Sequence, residues 1–406
     1  MWRGMNTNIS PSPSARVSSA SEPDLICLSH LRWNFVFQRP QHLMSRYAIS
    51  RRVYFVEEPI LDHEAAVPTL TMEAHGRLLV VVPRVPDSFT PAQVVAAQRA
   101  LLTQLIATER IQRYVLWYYT PSALRFSEHL MPEAIVCDCM DELSAFKGAD
   151  RELPALERAL FRKADLVFTG GQSLYDAKKH QHHNIHAMPS SVDVEHFMSA
   201  RRYTDQPADQ RAIAGPRLGF FGVLDERFDI PLLDGIAQAR PDWQFVMIGP
   251  VVKIDPADLP NRPNIHYLGS KTYTELPQYI SGWDVALLLF ARNESTRFIS
   301  PTKTPEYLAA GKPVVSTSIR DVVNPYGELG LVEIADAVPD FVRACELSLA
   351  DATPARRAKA DSFLRGTSWD RTWSKTALLL KQACTPIIDR ATQTPAHPAA
   401  ELSVGA

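Results

Sequence analysis

The chain lacks a strong net charge, a paired zinc-type cysteine motif and any apolar run of membrane-spanning length. Its 43 Lys and Arg nearly balance 45 Asp and Glu, a formal charge of −2, so no global field draws it to nucleic acid or to an anionic membrane. The five cysteines are odd in number and include Cys137 and Cys139 as C-x-C in a strand-like stretch. No C-x-x-C pair marks a structural zinc site, and the cysteines read as buried reduced thiols in a cytoplasmic protein. The longest apolar runs, such as Asp284 to Phe290, fall far short of the roughly 20 residues a transmembrane helix needs. The first twenty residues are rich in Ser, Pro and Ala without an apolar segment, which suits a disordered tail rather than a signal peptide.

What is present fits a folded two-domain protein. A chain of 406 residues, 46% hydrophobic and 22% charged, exceeds one ordinary core and has the apolar content to build two. The expected division is a tail over 1–22, an N-terminal Rossmann-like domain over 23–199, a linker over 200–216, a C-terminal Rossmann-like domain over 217–385 and a second tail over 386–406. Short apolar runs beginning at Leu25, Val53, Leu78, Tyr114, Ala134 and Ala164 read as strands, with helical stretches such as Pro91 to Arg110 between them. A second series begins at Arg217, Gln244, Ile265, Val285 and Pro313. Strands alternating with helices predict α/β domains with mostly parallel sheets.

The most informative stretch runs from Ile299 to Val315: Ile-Ser-Pro-Thr-Lys-Thr-Pro-Glu-Tyr-Leu-Ala-Ala-Gly-Lys-Pro-Val-Val. A loop turning at Pro301 leads into a helix that carries Lys303 and Glu306 on one face near its start, and Gly311 ends it in left-handed geometry. Such an end, with a lysine, suits a diphosphate, and the glutamate suits ribose hydroxyls. An ordinary i,i+3 salt bridge on a surface helix explains the spacing equally well.

This segment resembles the donor-binding motif of GT-B glycosyltransferases, in particular bacterial enzymes of cell-surface polysaccharide synthesis. Three further stretches carry the same resemblance: the glycine-containing loop Phe220 to Asp229, the interdomain element Ser191-Val-Asp-Val-Glu-His-Phe197, and the opening loop Trp33 to His42. The resemblance covers roughly residues 24–385. It implies two Rossmann-like domains facing a cleft, with Lys303 near a donor diphosphate, Glu306 on the ribose, Gly222 where backbone approaches phosphate, and Arg227 from a reduced basic pair. It also implies transfer without a bound metal or other cofactor. The chain departs from the pattern eight positions before Glu306, where many retaining relatives carry a second glutamate and this chain has Phe298; Glu294 is displaced by four residues.

In the N-terminal half, His30 follows the first strand, where open α/β sheets place ligands, and could deprotonate or orient an acceptor hydroxyl; packing or capping is the alternative. Arg39 could bind an anionic acceptor or phosphate, or be an ordinary loop arginine. Asp138, Asp141 and Glu142 follow another strand. They suit a catalytic base, acceptor hydroxyls or the N-cap of a helix near Glu142 better than a metal. The crowded His180, His182, His183 and His186 read as a solvated loop rather than a zinc site. Trp33, Phe35 and Phe37 alternate as if one side were buried; a sugar or a membrane face is their other reading.

The expected function is therefore glycosyl transfer from a nucleoside-diphosphate sugar to a glycan or lipid-linked acceptor, at the inner face of a membrane or in the cytoplasm, without nucleic acid. The site residues are His30 and Asp138 for catalysis, Gly222, Arg227, Lys303 and Glu306 for the donor, and Arg39 and Asp141 for the acceptor. A nucleotide-sugar epimerase on the same fold, or a binder that has lost transfer, are the alternatives.

Overall fold

The computed structural model describes residues 22–350 and 353–384. The expected tails lie, apart from Glu22, outside the described residues. Among those, the first sheet contains β1 (Asp24–Leu28), β2 (Val53–Val56), β3 (Ile60–Asp62), β4 (Thr69–His75), β5 (Leu78–Pro86), β6 (Tyr114–Tyr118), β7 (Ala134–Cys139), β8 (Leu166–Thr169) and β9 (Ile185–Ala187). Its order is β3-β5-β2-β1-β6-β7-β8-β9, with β4 antiparallel on β5. The other pairings are parallel, as the alternation predicts. Strands β3 and β4 were not expected from the sequence. Its apolar residues alternate as Leu70, Met72 and Ala74, yet all of β4 but Leu70 is exposed, and it is joined to β5 by a tight turn at Gly76, whose φ is +66°.

Continuous apolar strands work here because both faces are covered. Ile26 and Leu28 of β1 enter one core with the helix Pro91–Thr108, while Leu25 and Cys27 enter the other with the helix Arg39–Tyr47. The second sheet contains β10 (Arg217–Phe221), β11 (Gln244–Ile248), β12 (Ile265–Tyr267), β13 (Val285–Leu288), β14 (Val314–Ser316) and β15 (Glu333–Ile334). It is wholly parallel, in the order β12-β11-β10-β13-β14-β15. Leu218 and Phe220 face one core and Phe221 the other. Gly219 is needed between them, since a Cβ there would lie 1.9 Å from the ring of Trp283.

The stretch expected as a linker holds a short helix, Ala208–Arg211, tied to the second sheet's layer. Gln210 donates to the Tyr279 carbonyl at 2.8 Å and accepts from Trp283 Nε1 at 3.0 Å. The expected second domain also includes a helix that leaves it. Trp369–Cys384 packs on the first sheet, with Trp369 and Leu380 in the core of Leu25 and Val115. Tyr47 donates to Thr376 at 3.0 Å and Arg46 pairs with Asp370 at 2.7 Å.

Loops that follow the strands of both sheets meet across a cleft. Asp321 accepts from the Ser173 backbone N–H at 2.9 Å, Arg320 pairs with Asp176 at 3.0 Å, and Ser190 donates to the Ser300 carbonyl. No helix among the described residues is long and apolar enough to cross a membrane.

Candidate functional site

The helix read around Lys303 and Glu306 is Lys303–Ala309, and Gly311 after it has φ +79°. It is only two turns long, so its dipole is small and a full charge matters more at its start. That charge lies directly over the glycine loop that follows β10. Gly222 has φ +142°, and a Cβ there would fall 2.2 Å from Lys303 Cε and 2.7 Å from Nζ. Glycine thus serves twice at this position, by accepting the backbone angle and by leaving room for the lysine. The ammonium stands 5.7 Å from the Phe220 ring, 6.0 Å from Phe221 and 5.8 Å from Phe290. Among the described residues no carboxylate lies within ion-pair distance of it.

Glu306 is 4% exposed, and its Oε2 is buried without a hydrogen-bond partner. Burial pushes its carboxyl up to about 8, against the opposing pull of Lys303. Burial likewise lowers the Lys303 ammonium to about 8, countered chiefly by Glu306. The surface i,i+3 salt bridge that the spacing allowed is thus absent, and both groups retain hydrogen-bonding capacity.

Arg227, from the same glycine loop, is held by Asp225 through two contacts, Nε at 3.0 Å and Nη2 at 2.6 Å. Its guanidinium covers the Phe146 ring of the other domain at 5.3 Å, and Lys253 approaches the same ring at 5.6 Å. Asp141 faces this group. Its carboxyl is raised to about 6, first by burial, with Arg227, Arg39 and Lys303 pulling the other way. Asp141 thus feels the charges of both Arg227 and Lys303.

Asp138 and Arg39 are brought together differently. Asp138 at the end of β7 is fully buried, and Arg39 Nε reaches its two oxygens at 3.1 and 3.0 Å. Arg39 Nη1 donates to the Met188 carbonyl at 2.7 Å. The expected direct roles, Asp138 in catalysis and Arg39 on an acceptor, conflict with this geometry because each charge is engaged by the other, away from solvent. Glu142 is also taken: buried Lys178 binds it at 2.7 Å and Glu157 at 2.5 Å. It makes no side-chain cap at the short turn that follows.

His30 sits at the end of β1 with Nδ1 buried and unpartnered. Burial lowers its imidazole to about 4, offset only in part by the Tyr119 backbone. It is neutral at pH 7 and so weakly basic that orienting a hydroxyl suits it better than abstracting a proton. The alternation expected for the aromatic loop does not hold. Trp33 packs edge-on to Phe55 at 5.0 Å, but Phe35 and Phe37 are 51% and 42% exposed, since residues 30–38 form bends rather than a pleated strand. Of the crowded histidines, His182 bonds the Ala164 carbonyl and His186 bonds Asn184.

Residues 215–351 match the family model of glycosyl transferases group 1. Over nearly its whole length the chain superposes on solved glycosyltransferases. The fold is GT-B. Sucrose-phosphate synthase from Thermosynechococcus elongatus is 14% identical with a TM-score of 0.65, covering 89% of this chain and 99% of that one. The E. coli trehalose-6-phosphate structure bound with UDP-2-fluoro glucose is 11% identical with a TM-score of 0.63, covering 90% and 99%. A Bacillus subtilis (strain 168) protein, TuaH, named as a glycosyltransferase of teichuronic acid biosynthesis, is 26% identical over 254 residues. That match takes in 58% of this chain and 63% of TuaH, so the chain spans under two thirds of its curated relative.

Within the GT-B fold the matched segment contains Gly222, Arg227, Lys303 and Glu306, whereas His30, Arg39, Asp138 and Asp141 lie before it. Sequence reasoning passed over Asp225, which neutralises Arg227, and Lys312, whose ammonium bonds the Ser281 and Trp283 carbonyls at 2.9 and 2.7 Å. The Gly-Lys-Pro of the motif is therefore structural at its lysine. It also passed over Phe146 and Tyr273, which meet residues from elsewhere in the chain; no local pattern announces such contacts.

Proposed function

We propose that the protein is a glycosyltransferase that binds a nucleoside-diphosphate sugar against Gly222, Lys303 and Glu306 and transfers the sugar to a glycan or lipid-linked acceptor. The observation that carries this reading is the unpaired Lys303 ammonium lying over a positive-φ glycine, beside a buried glutamate with a free oxygen. A diphosphate supplies the anion this lysine lacks, and ribose hydroxyls supply the partner Glu306 lacks. TuaH's name supports cell-surface polysaccharide synthesis as the setting, and the UDP-2-fluoro glucose of the E. coli structure supports a uridine donor.

In the reaction the bond from the anomeric carbon to the diphosphate oxygen breaks, and one to an acceptor oxygen forms. Lys303 stabilises the departing diphosphate, and the cleft aligns the two reactants. Neutral His30 orients the acceptor hydroxyl, and Asp141, with its carboxyl raised toward neutrality, receives the proton. The protein would work in the cytoplasm at the inner face of the membrane, where a lipid-linked acceptor is presented. Glu294 is exposed and pairs with Arg297 at 3.5 Å, so it does not stand in for the glutamate replaced by Phe298. This favours, as the second reading, a nucleotide-sugar binder without transfer.

The test is thermal stability with UDP, GDP and ADP sugars, comparing the wild type with Lys303→Ala and Glu306→Ala. A rise with one donor that both variants lose supports the donor site, and turnover with a membrane-extracted acceptor separates the two readings. No rise with any donor overturns the proposal.

A further inference from the structure

Tyr273 lies in the loop after β12, just beyond Gly269. Its ring is fixed from four directions. It stacks on His196 at 4.3 Å and on Phe37 of the first domain at 4.5 Å, and meets His42 and Phe197 edge-on at 5.6 Å each. A ring held this way cannot swing its hydroxyl to find a partner, and that hydroxyl is buried with no hydrogen bond. Folded proteins rarely leave such an atom unpaired without a ligand or water to meet it. Glu306 Oε2 is in the same condition.

A chain of contacts links the two orphans. Phe197, against the edge of Tyr273, stacks on Phe221 at 6.2 Å, and the Phe221 backbone N–H donates to Tyr307 Oη at 3.0 Å, one residue from Glu306. The Glu306 charge adds to burial in holding the Tyr273 phenol protonated. A protonated phenol donates and a carboxyl oxygen accepts, and a vicinal diol has hydroxyls that do both.

We infer that Tyr273 is a further donor-site residue, its hydroxyl acting with Glu306 to hold the diol of the nucleoside. This rests on the reading of the cleft as a nucleotide-sugar site. Phe37 of the other domain braces the ring, so the diol is held by a residue that both domains position.

The experiment is calorimetric titration of UDP, GDP and ADP, and of the 2′,3′-dideoxy form of whichever binds best, into the wild type and Tyr273→Phe. The variant keeps the ring and its contacts, so its melting temperature without ligand stays at or above the wild-type value. The expected result is about a tenfold loss of affinity for the ribonucleotide and equal binding of the dideoxy form by both proteins. Wild-type affinity in Tyr273→Phe, or the same loss with the dideoxy form, overturns the inference while leaving the donor site standing. A wild type that binds none of the three overturns the functional reading and this inference with it.

Discussion

Two pairs of opposite charge lie in the two halves of this molecule, and they are built in opposite ways. Arg39 and Asp138 are closed on each other, with bidentate contacts near 3 Å and no exposure on the aspartate. Lys303 and Glu306 share one helix face yet form no ion pair, and the glutamate keeps a buried oxygen unpartnered. A pair closed on itself holds its charges in place, with only Arg39 Nη2 left without a hydrogen bond, whereas an open pair holds the fold back and waits for a partner. Whether two opposite charges close on each other, more than the presence of charge in a cleft, tells a structural pair from a binding one.

Breaking the closed pair should have the largest effect. Asp138→Ala leaves a buried guanidinium without its counter-charge, and urea denaturation should show a loss of about 3–5 kcal/mol. Breaking the open pair should do the reverse. Lys303→Ala and Glu306→Ala should keep or raise ligand-free stability, while each weakens nucleoside-diphosphate binding by about 1.5–3 kcal/mol, read by calorimetry. A stability loss in Lys303→Ala as large as that in Asp138→Ala would dissolve the contrast.

The remaining expectations sharpen the comparison. His30 is neutral in the fold, with its value lowered from 6.5 to about 4, so the unfolded chain binds more protons between those values. Its contribution is fully present above pH 6.5 and is lost as the pH falls toward 4, amounting to at most about 3 kcal/mol. His30→Gln should flatten that limb of the stability profile. The smallest effect is expected at the interdomain contact. Asp321→Ala frees the Ser173 N–H at a cost of about 1 kcal/mol, and solution scattering should show a wider cleft with both sheets intact.

The features legible in the sequence were local ones. The helix beginning at Lys303, its stop at Gly311 and the strands β1 and β10 follow from turn chemistry and short apolar runs. Arg39 and Asp138 stand 99 positions apart, each at a place where α/β proteins put ligands, and only the fold shows that they neutralise each other. Strand β4 does alternate, at Leu70, Met72 and Ala74, but only Leu70 is half-buried, so its short pattern was passed over. Phe37 looked like part of an alternation, but the backbone is irregular there and a tyrosine from the other domain stacks on its ring. Such cross-domain contacts have no period to read.

The last helix, Trp369–Cys384, supplies Trp369 and Leu380 to a core whose other members begin at Leu25. During synthesis the first domain therefore emerges with one apolar wall uncovered, and it stays so while the whole second domain is made. The order of translation and the order of completion run opposite ways, leaving the earliest-made core dependent on some of the latest-made residues and open to chaperones, or to aggregation, for most of the chain's passage from the ribosome.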